Sequence, residues 1–341
     1  MSTSPAGKFR RAAKTACGIL NVEVKPRLLL WGAAVILVAG ALSPARAQVR
    51  APIIDMHMHT HHPTFIPSGA PSICRPAPCQ GKGAATATEE QSLRGTLAQM
   101  DRYNIVKGLV SGTDLAELER WSAAAPGRFV RGVFMTTPEQ PRVDILRREV
   151  QAGRIGFVGE VATQLTGVAP NDPRLAPYFA MAAELNVPVL IHTEGIGPEL
   201  PGFRSAAGNP LLLEPVLVRH PNLRIYVENT GYPFLGEMLA IMTQYPNIYG
   251  DLSTITWVLP REAFYRYLKA LVDAGLGKRL MFGSDQMRWP EAIGWAVQAI
   301  EEAPFLSEAQ KRHIFYNNAA RFLRMGEAVT SNGSPDAGLK R

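Results

Sequence analysis

Short runs rich in Val, Ile, Leu, Phe and Met recur along the chain, separated by longer stretches in which apolar residues return every three or four positions. The first pattern predicts buried strands, and the second predicts amphipathic helices packed against them. Eight runs stand out: 53–59 (IIDMHMH), 105–110 (IVKGLV), 129–134 (FVRGVF), 155–161 (IGFVGEV), 187–193 (VPVLIHT), 224–229 (RIYVEN), 247–252 (NIYGDL) and 279–285 (RLMFGSD). Helical spacing fills segments such as 172–185 and 290–302, where Asp172 before Pro173 suits an N-cap followed by proline at the first helical position. Strands alternating with helices imply a parallel sheet, and eight is the number that closes a (β/α)8 TIM barrel of the α/β class. The competing architecture is an open doubly wound sheet, but no glycine-rich phosphate loop follows the first run to favour it.

Outside the repeats, residues 1–47 read as a signal peptide: a basic stretch, an apolar run from Leu28 to Leu42, then Ala45-Arg46-Ala47 before Gln48. The apolar run falls short of the roughly 20 residues that a membrane span needs, so no stable span is expected after cleavage. This predicts an exported protein, periplasmic or secreted, with the barrel over residues 48–325 and a disordered tail over 326–341. The leader also changes the charge. Of the formal +7, seven basic residues and one acidic residue belong to it, which leaves 29 basic against 28 acidic residues. A mature chain so close to neutral gives no reason to expect nucleic acid as a partner. Cys74 and Cys79 stand in the long first connection, roughly 60–88, beside His61 and His62. In an oxidising compartment the two cysteines read as a disulfide, with free thiols as the alternative, and the connection as a lid or pocket wall.

The chemistry concentrates where apolar runs end. His57 and His59 alternate with methionines in the first run, so both point to one face, about 6.5 to 7 Å apart along the backbone. Glu160, His192 and Asp285 end the fourth, fifth and eighth runs. A buried carboxylate or imidazole needs a partner, and one shared cation would serve all of them. Asp55 shares the histidines' face but lies deeper, where it would orient an imidazole. Arg288, Trp257 and Tyr232 follow strand ends and are candidate pocket residues, with Arg288 suited to an anionic substrate.

These segments resemble the amidohydrolase superfamily, specifically the amidohydrolase-related branch that includes the aminocarboxymuconate-semialdehyde decarboxylase group. The residues that carry the resemblance are DMHMH at 55–59, GEV at 159–161, IHT at 191–193, HPNLRIYVENTGYP at 220–233, FGSDQM at 282–287 and FYNNAARFL at 315–323. The resemblance implies that His57, His59 and His192 bind a divalent metal, zinc in the first instance with manganese or iron as alternatives. It implies that Asp285 binds metal and handles the proton, and it puts Glu160 where some members carry a bridging ligand. It also exposes a departure: Asn229 stands where the family places a histidine after strand six, and an amide is a poor ligand and no base at neutral pH.

The reading that follows is a metal-dependent hydrolase that cleaves a C–N or C–O bond of a small carbonyl substrate such as an amide, ester or lactone. Its competitors are a metal-dependent decarboxylase and a metal-binding barrel without turnover. The partner expected is a small molecule; a homo-oligomer is compatible with the sequence.

Overall fold

Each of the eight apolar runs forms a strand in the computed structural model, which describes residues 50–60, 86–195 and 200–326. The strands are β1 (Ile53–His59), β2 (Ile105–Gly112), β3 (Phe129–Met135), β4 (Phe157–Val161), β5 (Val189–Ile191), β6 (Ile225–Val227), β7 (Ile248–Asp251) and β8 (Leu280–Met281). They pair in parallel in simple sequential order, β1 to β8. Backbone hydrogen bonds join the two ends of the sheet: the Met56 amide donates to the Phe282 carbonyl at 2.9 Å and the Asp285 amide to the His57 carbonyl at 2.8 Å. The chain is therefore a TIM barrel, as the repeat pattern predicts.

Helices return the chain between strands, including α1 (Glu89–Tyr103), α2 (Leu115–Ala124), α3 (Val143–Gln151) and α4 (Ala176–Glu184). The predicted helix at 172–185 begins with a short 3-10 turn over Pro173–Leu175, where the Asp172 side chain accepts from the Arg174 amide at 3.0 Å before α4 follows. Among the described residues no helix is long and apolar enough to cross a membrane. The leader at 1–47, the connection carrying His61, His62, Cys74 and Cys79, and the tail beyond 326 lie outside the described residues.

Two apolar layers hold the barrel. The outer one, between sheet and helices, includes Ile53, Met58, Val110, Val158, Phe264 and Ile293. The inner one, Ile54, Met56, Leu109, Phe157, Leu190, Tyr226 and Met281, is joined by Ala319 and Phe322 from the C-terminal helical segment Asn318–Phe322. An interior filled this way is a packed core, so chemistry is confined to the rim. Strand β1 changes sides within the layers. Ile54 and Met56 belong to the inner cluster and Met58 to the outer one, and the pairing with β2 shifts register between Asp55 and Met58. Above that shift the rim begins, at His57 and His59.

Two glycines let backbones approach at the rim. Gly159 has φ 135°, and a Cβ there would lie 2.7 Å from the Leu190 carbonyl oxygen. At Gly283 a Cβ would lie 2.9 Å from the His57 Cβ. Both neighbours carry or adjoin the polar groups described next, so side-chain volume at either position would push the rim apart.

Candidate metal centre

The His57 and His59 rings meet nitrogen to nitrogen: their Nε2 atoms are 3.1 Å apart, and Glu160 Oε2 is 3.1 Å from each. Second partners fix both rings. His57 Nδ1 faces Asp251 Oδ2 at 3.1 Å and the Ser253 hydroxyl at 3.0 Å, and His59 Nδ1 faces the Ser111 hydroxyl at 3.0 Å. A carboxylate only accepts, so the Asp251 contact puts a hydrogen on His57 Nδ1 and leaves Nε2 to point at the centre. Asp285 follows β8 with φ 44°. Its Oδ2 accepts from the Thr254 hydroxyl, while its Oδ1 lies 3.0 Å from His59 Nε2 and 3.8 Å from His57 Nε2.

Strands β5 and β6 supply the rest. Gln164 Nε2 donates to the carbonyls of Glu194 and Arg204, which turns its Oε1 toward His192 Nδ1 at 2.6 Å. His192 Nε2 then faces Glu194 Oε1 at 3.4 Å and Glu228 Oε2 at 3.5 Å. Three sets of ligand atoms each fall within 4.8 Å of one another: His57, His59 and Glu160; His57, Glu228 and Asp285; Glu160, His192 and Glu228.

Burial and crowded charge work on these groups together. Burial opposes charge on His57, yet Asp285 and Asp251 hold its pKa well above the usual imidazole range. Burial likewise opposes ionisation of Glu160, but the hydrogen bonds from His57 and His59 keep its carboxyl well below the usual range. Asp285 is held down in the same manner, by His57 and His59 against the cost of burial. Glu228 goes the other way: burial, then the like charges of Glu160, Glu194 and Asp285, push it well up.

The donor set fits a divalent cation. Two imidazole nitrogens 3.1 Å apart turn the same kind of atom to one point, and the buried oxygens Glu228 Oε2 and Asp285 Oδ1 have no hydrogen-bond partner. Imidazole and carboxylate donors converging at this rim match what zinc, manganese or iron accept.

The family model described as amidohydrolase matches residues 54–325. The chain belongs to the amidohydrolase family. Among curated proteins, Protein fluG of Emericella nidulans is 24% identical over 124 residues, a stretch that covers 36% of this chain and 14% of that protein's length. Similar solved folds include a TIM-barrel protein, Bb4693, of Bordetella bronchiseptica (TM-score 0.59, 22% identity, 80% of this chain and 99% of that one). Two more similar folds carry descriptions of different chemistries. One is described as a probable 2-pyrone-4,6-dicarboxylic acid hydrolase of Acinetobacter baumannii (TM-score 0.58, 16% identity, 80% and 99% covered). The other is 5-carboxyvanillate decarboxylase of Sphingomonas paucimobilis (TM-score 0.53, 17% identity, 80% and 99% covered). The family resemblance read from the motifs therefore holds, and similar folds are found in a protein described as a probable hydrolase and in a decarboxylase.

Asp55, Arg288 and Asn229, the predicted substrate or supporting residues, take the following places. Asp55 does not orient an imidazole: its Oδ1 accepts from the backbone amides of His57 at 3.1 Å and Ser284 at 2.9 Å, and Asp251 takes the ring. Burial raises the Asp55 carboxyl to about 7. Arg288 donates from its Nε and Nη2 to the Thr86 carbonyl at 3.4 and 3.2 Å. Asn229 is not where β6 meets the centre; Glu228 is. Asn229 takes φ 51°, a left-handed conformation that asparagine tolerates better than most residues. There its Nδ2 donates to Glu194 Oε2 at 2.6 Å and Glu228 Oε1 at 3.2 Å, while its Oδ1 accepts from the Ile255 amide at 3.0 Å. An imidazole could not hold two carboxylates and an amide in this way. Trp257 and Tyr232 are engaged in packing: the indole donates to the Ser284 carbonyl at 2.9 Å, and Tyr232 stacks edge-on to Tyr267.

The sequence reading missed Glu194, Glu228, Asp251 and Gln164. Glu228 and Asp251 were visible in kind, as acids at the end of apolar runs; Glu194 and Gln164 lie in turns beyond strands, where periodicity says nothing.

Proposed function

We propose that this protein is a metal-dependent hydrolase that opens a C–N or C–O bond of a small carbonyl compound such as an amide, ester or lactone. His57, His59, Glu160 and Asp285 would hold the cation, with His192 beside them. When bound there, a divalent ion polarises a carbonyl and lowers the pKa of water toward ~7.

The observation that carries the reading is the Asp285 carboxylate. The Thr254 hydroxyl holds one oxygen, and the other lies 3.0 Å from His59 Nε2 and 3.8 Å from His57 Nε2. Held ionised by the two imidazoles, it can accept a proton from the attacking water and return it to the leaving group. Phe134, Ala162 and Leu165, with Leu200 and Phe203 packed on them, form an apolar cluster, and the Phe134 ring lies edge-on to His59 at 5.6 Å. This wall would exclude water from one side of the substrate and favour an apolar body next to the reacting carbonyl.

Asp285 is what favours hydrolysis over decarboxylation in this reading, because an ionised base beside the centre serves the proton transfers that hydrolysis requires. The test is acid release from metal-loaded protein against lactones, aryl esters and amides, with CO2 measured in parallel on aromatic carboxylic acids. Hydrolysis that falls by about 10² to 10⁴ in Asp285→Asn supports the reading. CO2 release without hydrolysis overturns it. The leader pattern supports export, which would place this activity in the periplasm or outside the cell.

A further inference from the structure

We propose that the end of the barrel opposite the metal centre is a docking face for an anionic phospholipid surface, built from Arg224, Lys278, Arg279, Arg321 and Arg324. The inference is independent of the hydrolase reading, since it uses none of the residues around the centre.

The topology brings these side chains together. Arg224 immediately precedes β6 and Arg279 immediately precedes β8, and the strands run parallel, so both stand at the same end. The segment Asn318–Phe322 closes that end. The Phe322 carbonyl accepts from Arg224, whose guanidinium lies 5.7 Å from the Phe322 ring, and Arg321 Nη2 donates to the Lys278 carbonyl at 2.7 Å. Arg324 follows two residues after Phe322, next to Met325, which is 40% exposed. Lys278, Arg321 and Arg324 are exposed, and Arg224 and Arg279 are half-buried.

What sets the patch apart is that its charge is not neutralised. Elsewhere basic side chains pair with acids: Arg120 with Glu89, Arg147 with Glu184 and Lys269 with Asp273. Among the described residues, Lys278, Arg279, Arg321 and Arg324 take part in no ion pair. Their bonds go to neutral acceptors instead. Arg279 donates to the Tyr245 carbonyl at 3.0 Å and Arg224 to the Asn186 carbonyl at 2.6 Å, at or just past the C-terminal ends of the helix Leu235–Gln244 and of α4. Such contacts complement the helix dipole and fix the guanidinium, but a carbonyl's partial charge leaves most of a full positive charge uncancelled. At the other end gather Glu160, Glu194, Glu228 and Asp285. With 29 basic against 28 acidic residues beyond the leader, the chain is polarised rather than charged. A polarised molecule turns its cationic end to an anionic plane, which bilayer headgroups supply. Cationic heads beside an exposed methionine suit the boundary between headgroups and acyl chains. Nucleic acid fits less well, because the large exposed apolar side chains among the described residues include no aromatic ring on which bases could stack. In this orientation the metal centre opens away from the bilayer, toward water.

The test is co-sedimentation of the protein with vesicles of phosphatidylcholine alone and of phosphatidylcholine mixed with phosphatidylglycerol. Binding is expected to the mixed vesicles only, and to weaken as salt is added. Each basic side chain at such a surface contributes roughly five-fold in affinity, so Lys278→Gln/Arg324→Gln is expected to bind roughly 25-fold more weakly. Neither side chain makes a hydrogen bond among the described residues, so the double variant is expected to keep its melting temperature and metal content. Wild type and variant share the same N-terminal residues, so the difference between them reads the patch alone. Equal binding to neutral vesicles, an affinity unchanged in the double variant, or no binding to either vesicle overturns the proposal. Retention of duplex DNA without binding to vesicles also overturns it, and assigns the patch to nucleic acid. Each of these results leaves the hydrolase reading standing. Should the double variant not fold, the lipid selectivity and salt dependence of the wild type decide the matter.

Discussion

The Nε2 atoms of His57 and His59 lie 3.1 Å apart at the end of a single strand, each 3.1 Å from one oxygen of Glu160. Without a cation, protons must hold such a cluster together; with one, each group becomes a ligand. Anything that binds only the folded state stabilises it. Stripping metal with a chelator is therefore expected to lower the melting temperature, and Zn2+ or Mn2+ to restore it. His57→Ala should melt at the same temperature with and without chelator, read by differential scanning calorimetry.

Asp251 holds the His57 ring at Nδ1 across 3.1 Å with one oxygen and accepts from the Asn229 amide at 3.0 Å with the other. Loss of such a partner typically costs 10- to 100-fold in metal affinity, roughly. Asp251→Asn is expected to weaken Zn2+ binding by about that factor while the protein stays folded, as measured by competition with a chromogenic chelator. Unchanged affinity would mean that the ring needs no such support.

Glu117 on α2 is buried beside the rim and accepts from the Thr60 hydroxyl at 2.8 Å. Burial raises its carboxyl from 4.5 to about 7. A carboxyl with a raised folded-state pKa binds its proton more tightly folded than unfolded. Its contribution is complete below pH 4.5 and is lost as the pH rises through about 7. Glu117→Gln cannot ionise, so the variant should match the wild type near pH ~4 and melt several degrees higher at pH ~8. Equal melting at both values would contradict the assignment.

Phe322 closes the inner core at the end opposite the rim, packed edge-on to Tyr226 at 5.4 Å and tilted against Tyr249 at 4.8 Å. Phe322→Ala is expected to cost about 3 to 5 kcal/mol of unfolding free energy, read from urea titration, without changing metal stoichiometry. This separates the packed core from the chemistry above it.

Much of this architecture was legible in the sequence because buried parallel strands write themselves as apolar runs. β1 has the predicted bounds, Ile53–His59, and the other seven strands fall on their runs. The errors cluster at strand ends on the rim. β8 keeps only Leu280–Met281 of the predicted 279–285, since the chain turns at once toward Asp285 at φ 44°. β6 stops at Val227, and left-handed Asn229 and Thr230 redirect the backbone there. The family motif points to Asn229, and a regular strand gives no sign of the turn that leaves Glu228 beside the centre. The histidines and Asp285 were readable as polar residues after apolar runs. Their supports, Asp251 194 residues from His57 and Gln164 28 residues from His192, exist only once the barrel closes.

The claim on which the rest depends is that His57, His59 and Glu160 share a divalent cation. Diffraction from crystals of metal-loaded protein at the metal's absorption edge tests it directly. The account predicts an anomalous peak about 2.0 to 2.2 Å from His57 Nε2 and His59 Nε2, with Glu160 in contact. Both imidazoles hydrogen-bonded to the carboxylates, with no peak between them at full metal loading, would contradict it.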